Sequence, residues 1–219
     1  MPDNKPAAYN VGPGYFGKMT ASVSHELKNC LAIMNENNGL TQDLTAMALK
    51  GRPLDPERLN TVAERISIQI QRADRLLKQM NRFAHSSDRS QEQVDVDEAV
   101  TLAVNLGARL AANQRVDIQV EPFDAPLSLT TSFFGTLNLL WQTIEAVMSV
   151  MDGEDKVLTI RIFKDSDLPC VALNIPGPFL DTIDPALEKA DVHYLCTCAG
   201  AALRVIPDNG QITLTFGNQ

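Results

Sequence analysis

Between Ser24 and Leu31 the chain reads Ser-His-Glu-Leu-Lys-Asn-Cys-Leu, which places an imidazole, a carboxylate, an ammonium and an amide within five consecutive positions, 25 to 29. A neutral imidazole is a nucleophile toward phosphorus. A carboxylate beside it can take the ring proton, or hold the second ring nitrogen and so fix the tautomer. An amide four residues further on can position a water for the reverse, hydrolytic direction.

What these groups can do depends on where a helix points them. Phe16, Met19, Val23, Leu27, Cys30 and Met34 recur in steps of three and four, the stripe of an amphipathic helix. His25 is two residues from both Val23 and Leu27, which at about 100° per residue turns it about 200° from the stripe. Its imidazole is therefore expected to face water or a partner. Asn29 and Lys28 share its face, four and three residues on, and Glu26 flanks it.

The helix that carries them is expected from about Tyr15 to Lys50. Gly51-Arg52-Pro53 would end it, Asp55 would cap a second helix, and Pro56 would take that helix's first position. The second helix shows Leu59, Val62, Ile66, Gln69, Ala73, Leu76, Met80 and Phe83 in steps of three and four, with Gln69 the polar member and Ile70 and Leu77 widening the stripe. Two long helices joined by a short connector form an antiparallel hairpin. A lone hairpin leaves one side of each seam wet, and dimerisation into a four-helix bundle would cover it. The expected organisation is a disordered lead-in over residues 1–14, the hairpin over 15–88 and a second domain over 92–219, after the polar run Ser86 to Gln91. In that domain the pattern predicts a helix over Val96 to Asn113, a strand over Val116 to Val120, a short strand near Leu127 to Leu129, and a helix from a Ser132 cap to about Met151. It then predicts strands over Val157 to Phe163 and Cys170 to Leu173, one helix over Pro185 to Ala202, and a hairpin of Leu203 to Ile206 with Ile212 to Phe216.

Composition narrows the class. The chain has 219 residues, enough for two small domains, and its net charge of -8 with no basic tract argues against nucleic acid. No apolar run reaches the roughly 20 residues of a membrane span, so no membrane partner and a cytoplasmic location are expected. The four cysteines, at 30, 170, 196 and 198, are expected as reduced, buried thiols. Cys196-Thr197-Cys198 is too tight for a zinc knuckle, and no metal site is expected.

The run His25-Glu26-Leu27-Lys28-Asn29-Cys30-Leu31 resembles the H-box of two-component sensor histidine kinases, His-Glu-x-Lys/Arg-Asn/Thr-Pro-Leu, at six of seven positions. Cys30 stands where that family has proline, so the helix kink after the histidine is expected to be absent. The stretch from Phe16 to Ser87 looks like the family's dimerisation and phosphotransfer hairpin. The order of elements after it resembles the family's Bergerat-type ATPase domain. The resemblance implies an α+β protein: an antiparallel helical hairpin, dimeric as a four-helix bundle, followed by an α/β sandwich. It also implies roles: His25 as phosphoryl carrier, Glu26 as proton acceptor or tautomer holder, and Asn29 as the amide that aligns water. Ser22 and Lys28 would be contacts to the partner, a response-regulator receiver domain that brings its own Mg²⁺.

The same resemblance locates a nucleotide site and shows it altered. The family's Asn-Leu-Leu-x-Asn-Ala-Ile-x-Ala box matches Asn138 to Ala146, but its second Asn, the Mg²⁺ ligand, is Gln142. The longer side chain suits the strict octahedral geometry of Mg²⁺ poorly. The family's Asp-x-Gly-x-Gly is Asn174-Ile175-Pro176-Gly177-Pro178. Proline has no N–H and cannot take positive φ. Between Phe179 and Gly200 there is no glycine, so the family's glycine-rich lid is missing. If a nucleotide bound, Asn138, Gln142, Asn174 and Gly177 would be its residues. The expectation is a domain that keeps the fold without ATP or other cofactor, in a phosphorelay protein like the histidine phosphotransferases. The alternatives are an ATP-dependent kinase core, a receiver-binding scaffold and a phosphatase.

Overall fold

The computed structural model describes residues 8–123, 126–154, 156–178 and 182–217, with side chains from residue 12 onward. Its first helix, α1 (Ala8–Leu49), ends where Gly51 takes a φ of 85°, a region that glycine enters without steric cost. The Arg52 N–H donates back to the Met47 carbonyl at 3.2 Å. Helix α2 (Pro56–His85) starts on its expected cap, Asp55, whose Oδ1 accepts from the Glu57 and Arg58 N–H groups at 3.0 and 3.3 Å.

Helix α1 begins at Ala8 and carries Pro13 within its early turns, so the expected disordered lead-in is corrected from residue 8 onward. Residues 1–7 lie outside the described residues. Aromatic packing gives the reason. Tyr15 is buried, edge-on to Phe83 at 5.5 Å and tilted against Phe134 at 5.7 Å. Phe16 stacks on Phe83 at 5.2 Å, and Phe83 on Phe134 at 5.9 Å. Such pairs combine area burial with favourable ring electrostatics, and they order the turns that carry them.

The chain accordingly divides into two compact units, Thr20–Asn81 and the described residues up to Met19 together with those from Arg82 on. The division falls inside both long helices, not at residues 15 and 88–92.

In the unit from Thr20 to Asn81 the helices run antiparallel. Glu26 pairs with Arg72, and residues 33–43 of α1 face residues 65–69 of α2. Val23, Cys30, Leu44 and Val62 are its buried apolar side chains. Helix α1 continues through Cys30, which keeps the N–H that proline would lack. Leu59, Ile66, Gln69, Ala73, Leu76 and Met80 occupy the expected stripe and are only half-buried. Ile70 and Leu77, seven residues apart, are 55 % and 50 % exposed. The seam is therefore half wet within one chain.

The other unit is an α/β sandwich. A two-stranded antiparallel ribbon pairs β1 (Glu92–Asp95) with β3 (Ser128–Thr131). The main sheet has the order β2-β4-β5-β7-β6, from β2 (Val116–Val120), β4 (Lys156–Asp165), β5 (Leu168–Asn174), β7 (Gln211–Phe216) and β6 (Ala201–Ile206). Only the β2–β4 pair is parallel. Register aligns Ile160 with Leu173 and Ile212, and Ile162 with Val171 and Leu214, so one face carries continuous apolar rows. Helices α3 (Val96–Asn113), α4 (Phe133–Val150), α5 (Ile183–Lys189) and α6 (Val192–Ala199) pack together around α4. Two caps hold the first two in place: Asp95 accepts from the Asp97 N–H at 2.8 Å, and Ser132 from the Gly135 N–H at 3.1 Å.

One expected element is corrected. The single helix over Pro185 to Ala202 is two, because Asp191 sits in the left-handed region with a φ of 54°. Each half buries its own side chains, Ile183 and Leu187 in α5, and Val192, Leu195, Cys196 and Ala199 in α6. The fold class is the expected α+β, a helical hairpin followed by an α/β sandwich.

Candidate functional site

The hairpin carries the nucleophile candidate. His25 is exposed on α1, on the side away from buried Val23 and Cys30, with Lys28 exposed and Asn29 half-buried beside it. The Asn29 Nδ2 donates to Glu26 Oε1 at 3.3 Å. The other oxygen of Glu26 is held by the guanidinium of Arg72 on α2. Glu26, expected as proton acceptor or tautomer holder for the imidazole, is tied into a polar chain across both helices. Sequence reasoning missed Arg72. It is one of several arginines on the polar side of α2, and nothing in the linear sequence marks it as facing Glu26.

Ser22 is corrected. Expected at the partner surface, it is 3 % exposed. It lies three residues after Met19 and one before Val23, which puts it on the buried stripe. Lys28 stays exposed.

A groove of about 590 Å³ runs along the same unit, lined by Ile33, Glu36, Leu40, Asp43, Arg65 and Ile68 among others. Glu36 and Asp43 follow His25 by 11 and 18 residues, close to whole numbers of helical turns, so they share its meridian on α1. Ile68, on the opposite wall, is 58 % exposed.

The chain has two other histidines. His85 closes α2, with Nδ1 2.8 Å from Asp88 Oδ2. His193 is exposed in the first turn of α6.

Of the four residues expected at a nucleotide site, two lie on α4, one ends β5 and one follows it. Asn138 is buried on α4 with its Oδ1 unpartnered. Gln142, one turn on, lines a cavity of about 320 Å³ with Gly14, Tyr15 and Lys18 of α1 and Lys189, Ala190 and Asp191. Lys18 is ion-paired with Glu145 of α4. Asn174 ends β5 with both amide atoms engaged: Oδ1 accepts from Gln211 Nε2 at 2.7 Å, and Nδ2 donates to the Thr159 carbonyl at 3.5 Å. The Gly177 carbonyl lies close against Gly210 in the β6–β7 turn. Of these, the Asn174 amide is engaged within the sheet, while Gln142 lines a cavity and Gly177 is exposed.

Three of the thiols are buried, and burial pushes Cys196 up to about 11. Cys198 is exposed, correcting the expectation for that residue, because two steps along a helix turn it to the opposite face from Cys196. No described helix is long and apolar enough to cross a membrane.

No family model matches the sequence, and no curated protein matches it. Solved structures of similar architecture are nevertheless found. The histidine kinase AdeS of Acinetobacter baumannii is 12 % identical over 89 % of this chain and 98 % of its own, with a TM-score of 0.48. A bacterial phosphotransferase is 14 % identical over 95 % and 97 %, with a TM-score of 0.42. Histidine kinase ThkA, solved in complex with response regulator protein TrrA, is 15 % identical over 94 % of this chain and 63 % of that one, with a TM-score of 0.43. At such identities the likeness is one of architecture.

Proposed function

We propose that the protein is a two-component phosphorelay protein in which His25 accepts a phosphoryl group from the aspartate of one receiver domain and passes it to another. The observation that carries this reading is an exposed imidazole with a fixed carboxylate and amide beside it, on a helix face that continues into an open groove.

The neutral ring nitrogen attacks phosphorus, a P–N bond forms as the aspartyl P–O bond breaks, and the aspartate carboxylate is released. The proton on the other ring nitrogen leaves to Glu26 or water. Each carboxylate oxygen can accept a second hydrogen bond, so Glu26 can serve the ring while bound to Asn29 and Arg72. Asn29 can align a water for hydrolysis of the phosphoaspartate. Such transfer depends on positioning and charge stabilisation, and the receiver supplies Mg²⁺.

The receiver docks along the groove, with Lys28 between His25 and Ile33 on α1. Ile68→Asp should raise the KM for phosphorylated receiver about tenfold, with kcat within about twofold. An unchanged KM would place the docking face elsewhere. The half-wet seam, with Ile70 and Leu77, is covered by a second copy of the chain. Equilibrium sedimentation should give twice the chain mass, and a monomer at micromolar concentration would remove that part of the proposal.

The α/β unit, in this reading, takes no nucleotide. Calorimetry with MgATP tests it against a kinase core. No heat at millimolar nucleotide and no ATP-derived label on His25 are expected. Micromolar binding with label on His25 would make the chain an autokinase.

A further inference from the structure

We propose that Arg72 is a positioning residue for the chemistry at His25, an inference that rests on the phosphotransfer reading above. Its guanidinium is paired with Glu26 Oε2, while Glu26 Oε1 accepts from the Asn29 amide at 3.3 Å. The three side chains make one continuous polar chain from α2 to the two α1 residues that flank the nucleophile's face.

Stability does not account for it. The Arg72 side chain is 45 % exposed and that of Glu26 18 %, and an ion pair with its cation so open to water contributes little to folding. Its effect on the site is larger for two reasons. The first is charge. A phosphoryl group arriving at His25 is doubly negative, and Glu26 is the adjacent residue. The negative charge of the Glu26 carboxylate repels the incoming group, and the guanidinium offsets that repulsion. The second is orientation. Glu26 is a flexible side chain, and pairing with a planar guanidinium confines it. Glu26 in turn draws the Nδ2 of Asn29 toward itself. This leaves the Asn29 Oδ1, the other end of the same amide, to accept a hydrogen from an attacking water.

Phosphoramidate tests the assignment without a receiver domain. Its P–N bond breaks as the His25 nitrogen bonds phosphorus, ammonia departs, and the other ring proton passes to solvent. Phosphohistidine at His25 would be followed by ³¹P NMR and mass spectrometry in the full chain. Arg72→Ala should slow its formation about tenfold or more. Arg72→Lys should stay within about threefold of the unsubstituted protein, and neither substitution should move the melting temperature. Rescue by lysine is what a packing role would not produce. The proposal is overturned if Arg72→Ala is labelled at the unsubstituted rate, if Arg72→Lys is as slow as Arg72→Ala, or if phosphoramidate leaves His25 unlabelled. If labelling shows the Arg72 dependence but no phosphorylated receiver domain delivers to His25, the relay reading fails and the assignment of Arg72 stands.

Discussion

His25→Gln should abolish acceptance of a phosphoryl group, with a loss of at least about 10³-fold in the rate of transfer from a phosphorylated receiver domain. The replacement keeps a polar side chain of similar reach but has no nitrogen lone pair able to attack phosphorus. His25 is exposed on an uninterrupted helix and packs into no core, so the melting temperature should not move and the loss would be chemical. The comparison that makes this decisive is His85→Gln. His85 has a carboxylate at its ring, Asp88 Oδ2 at 2.8 Å from Nδ1. It stands at the end of α2. Transfer should survive its replacement within about twofold. If His85→Gln removes transfer and His25→Gln does not, the chemistry belongs to the end of α2.

Gly107→Ala should lower stability by about 2–3 kcal/mol, the net of two opposed effects. In an open helix the change would gain about 1 kcal/mol, because alanine loses less backbone entropy on folding. Here a methyl group on Gly107 would overlap the Cε3, Cζ3 and Cη2 atoms of Trp141. Trp141 is fully buried on α4, and a packed core absorbs added volume only by shifting backbone or forcing rotamers. The overlap outweighs the propensity gain, and the melting temperature should fall by roughly 5–10 °C. A rise on substitution would mean that α3 and α4 do not approach so closely. The glycine is thus a packing device: α3 meets α4 at a point where only a hydrogen fits beneath the indole.

Most of the architecture was legible in local signals. Asp55-Pro56, Ser132 and Gly51 mark helix ends, and each stands at one in the structure. Val96 to Asn113 and Val116 to Val120 follow their periodicities to the residue. What escaped was set by tertiary contact or by single backbone angles. The first turns of α1 read as a Pro- and Gly-rich lead-in, but aromatic neighbours from Phe83 and Phe134, far along the chain, hold them helical. The break between α5 and α6 rests on Asp191 adopting a left-handed φ, which an aspartate does not announce. Strand β1 has one apolar residue, Val94, and shows no alternation to detect.

The site divides in the same way. The outward imidazole and its neighbours on α1 follow from helical spacing alone. Ser22 followed from spacing too, since it falls on the buried stripe beside Val23, and placing it at the surface neglected its distance from Met19. Arg72 required knowing which residue of α2 lies opposite Glu26. That depends on the register of the hairpin, to which its half-buried seam gives no sharp marker.

The central claim is that His25 exchanges phosphoryl groups with receiver aspartates and not with ATP. The most direct measurement incubates the purified full chain with a panel of receiver domains phosphorylated by acetyl phosphate, and in parallel with MgATP, and maps acid-labile phosphate by mass spectrometry. Label is expected on His25 from at least one receiver domain, lost on back-transfer to an unphosphorylated one, and none from ATP. Label on His25 from ATP, or no label from any receiver domain, would contradict it.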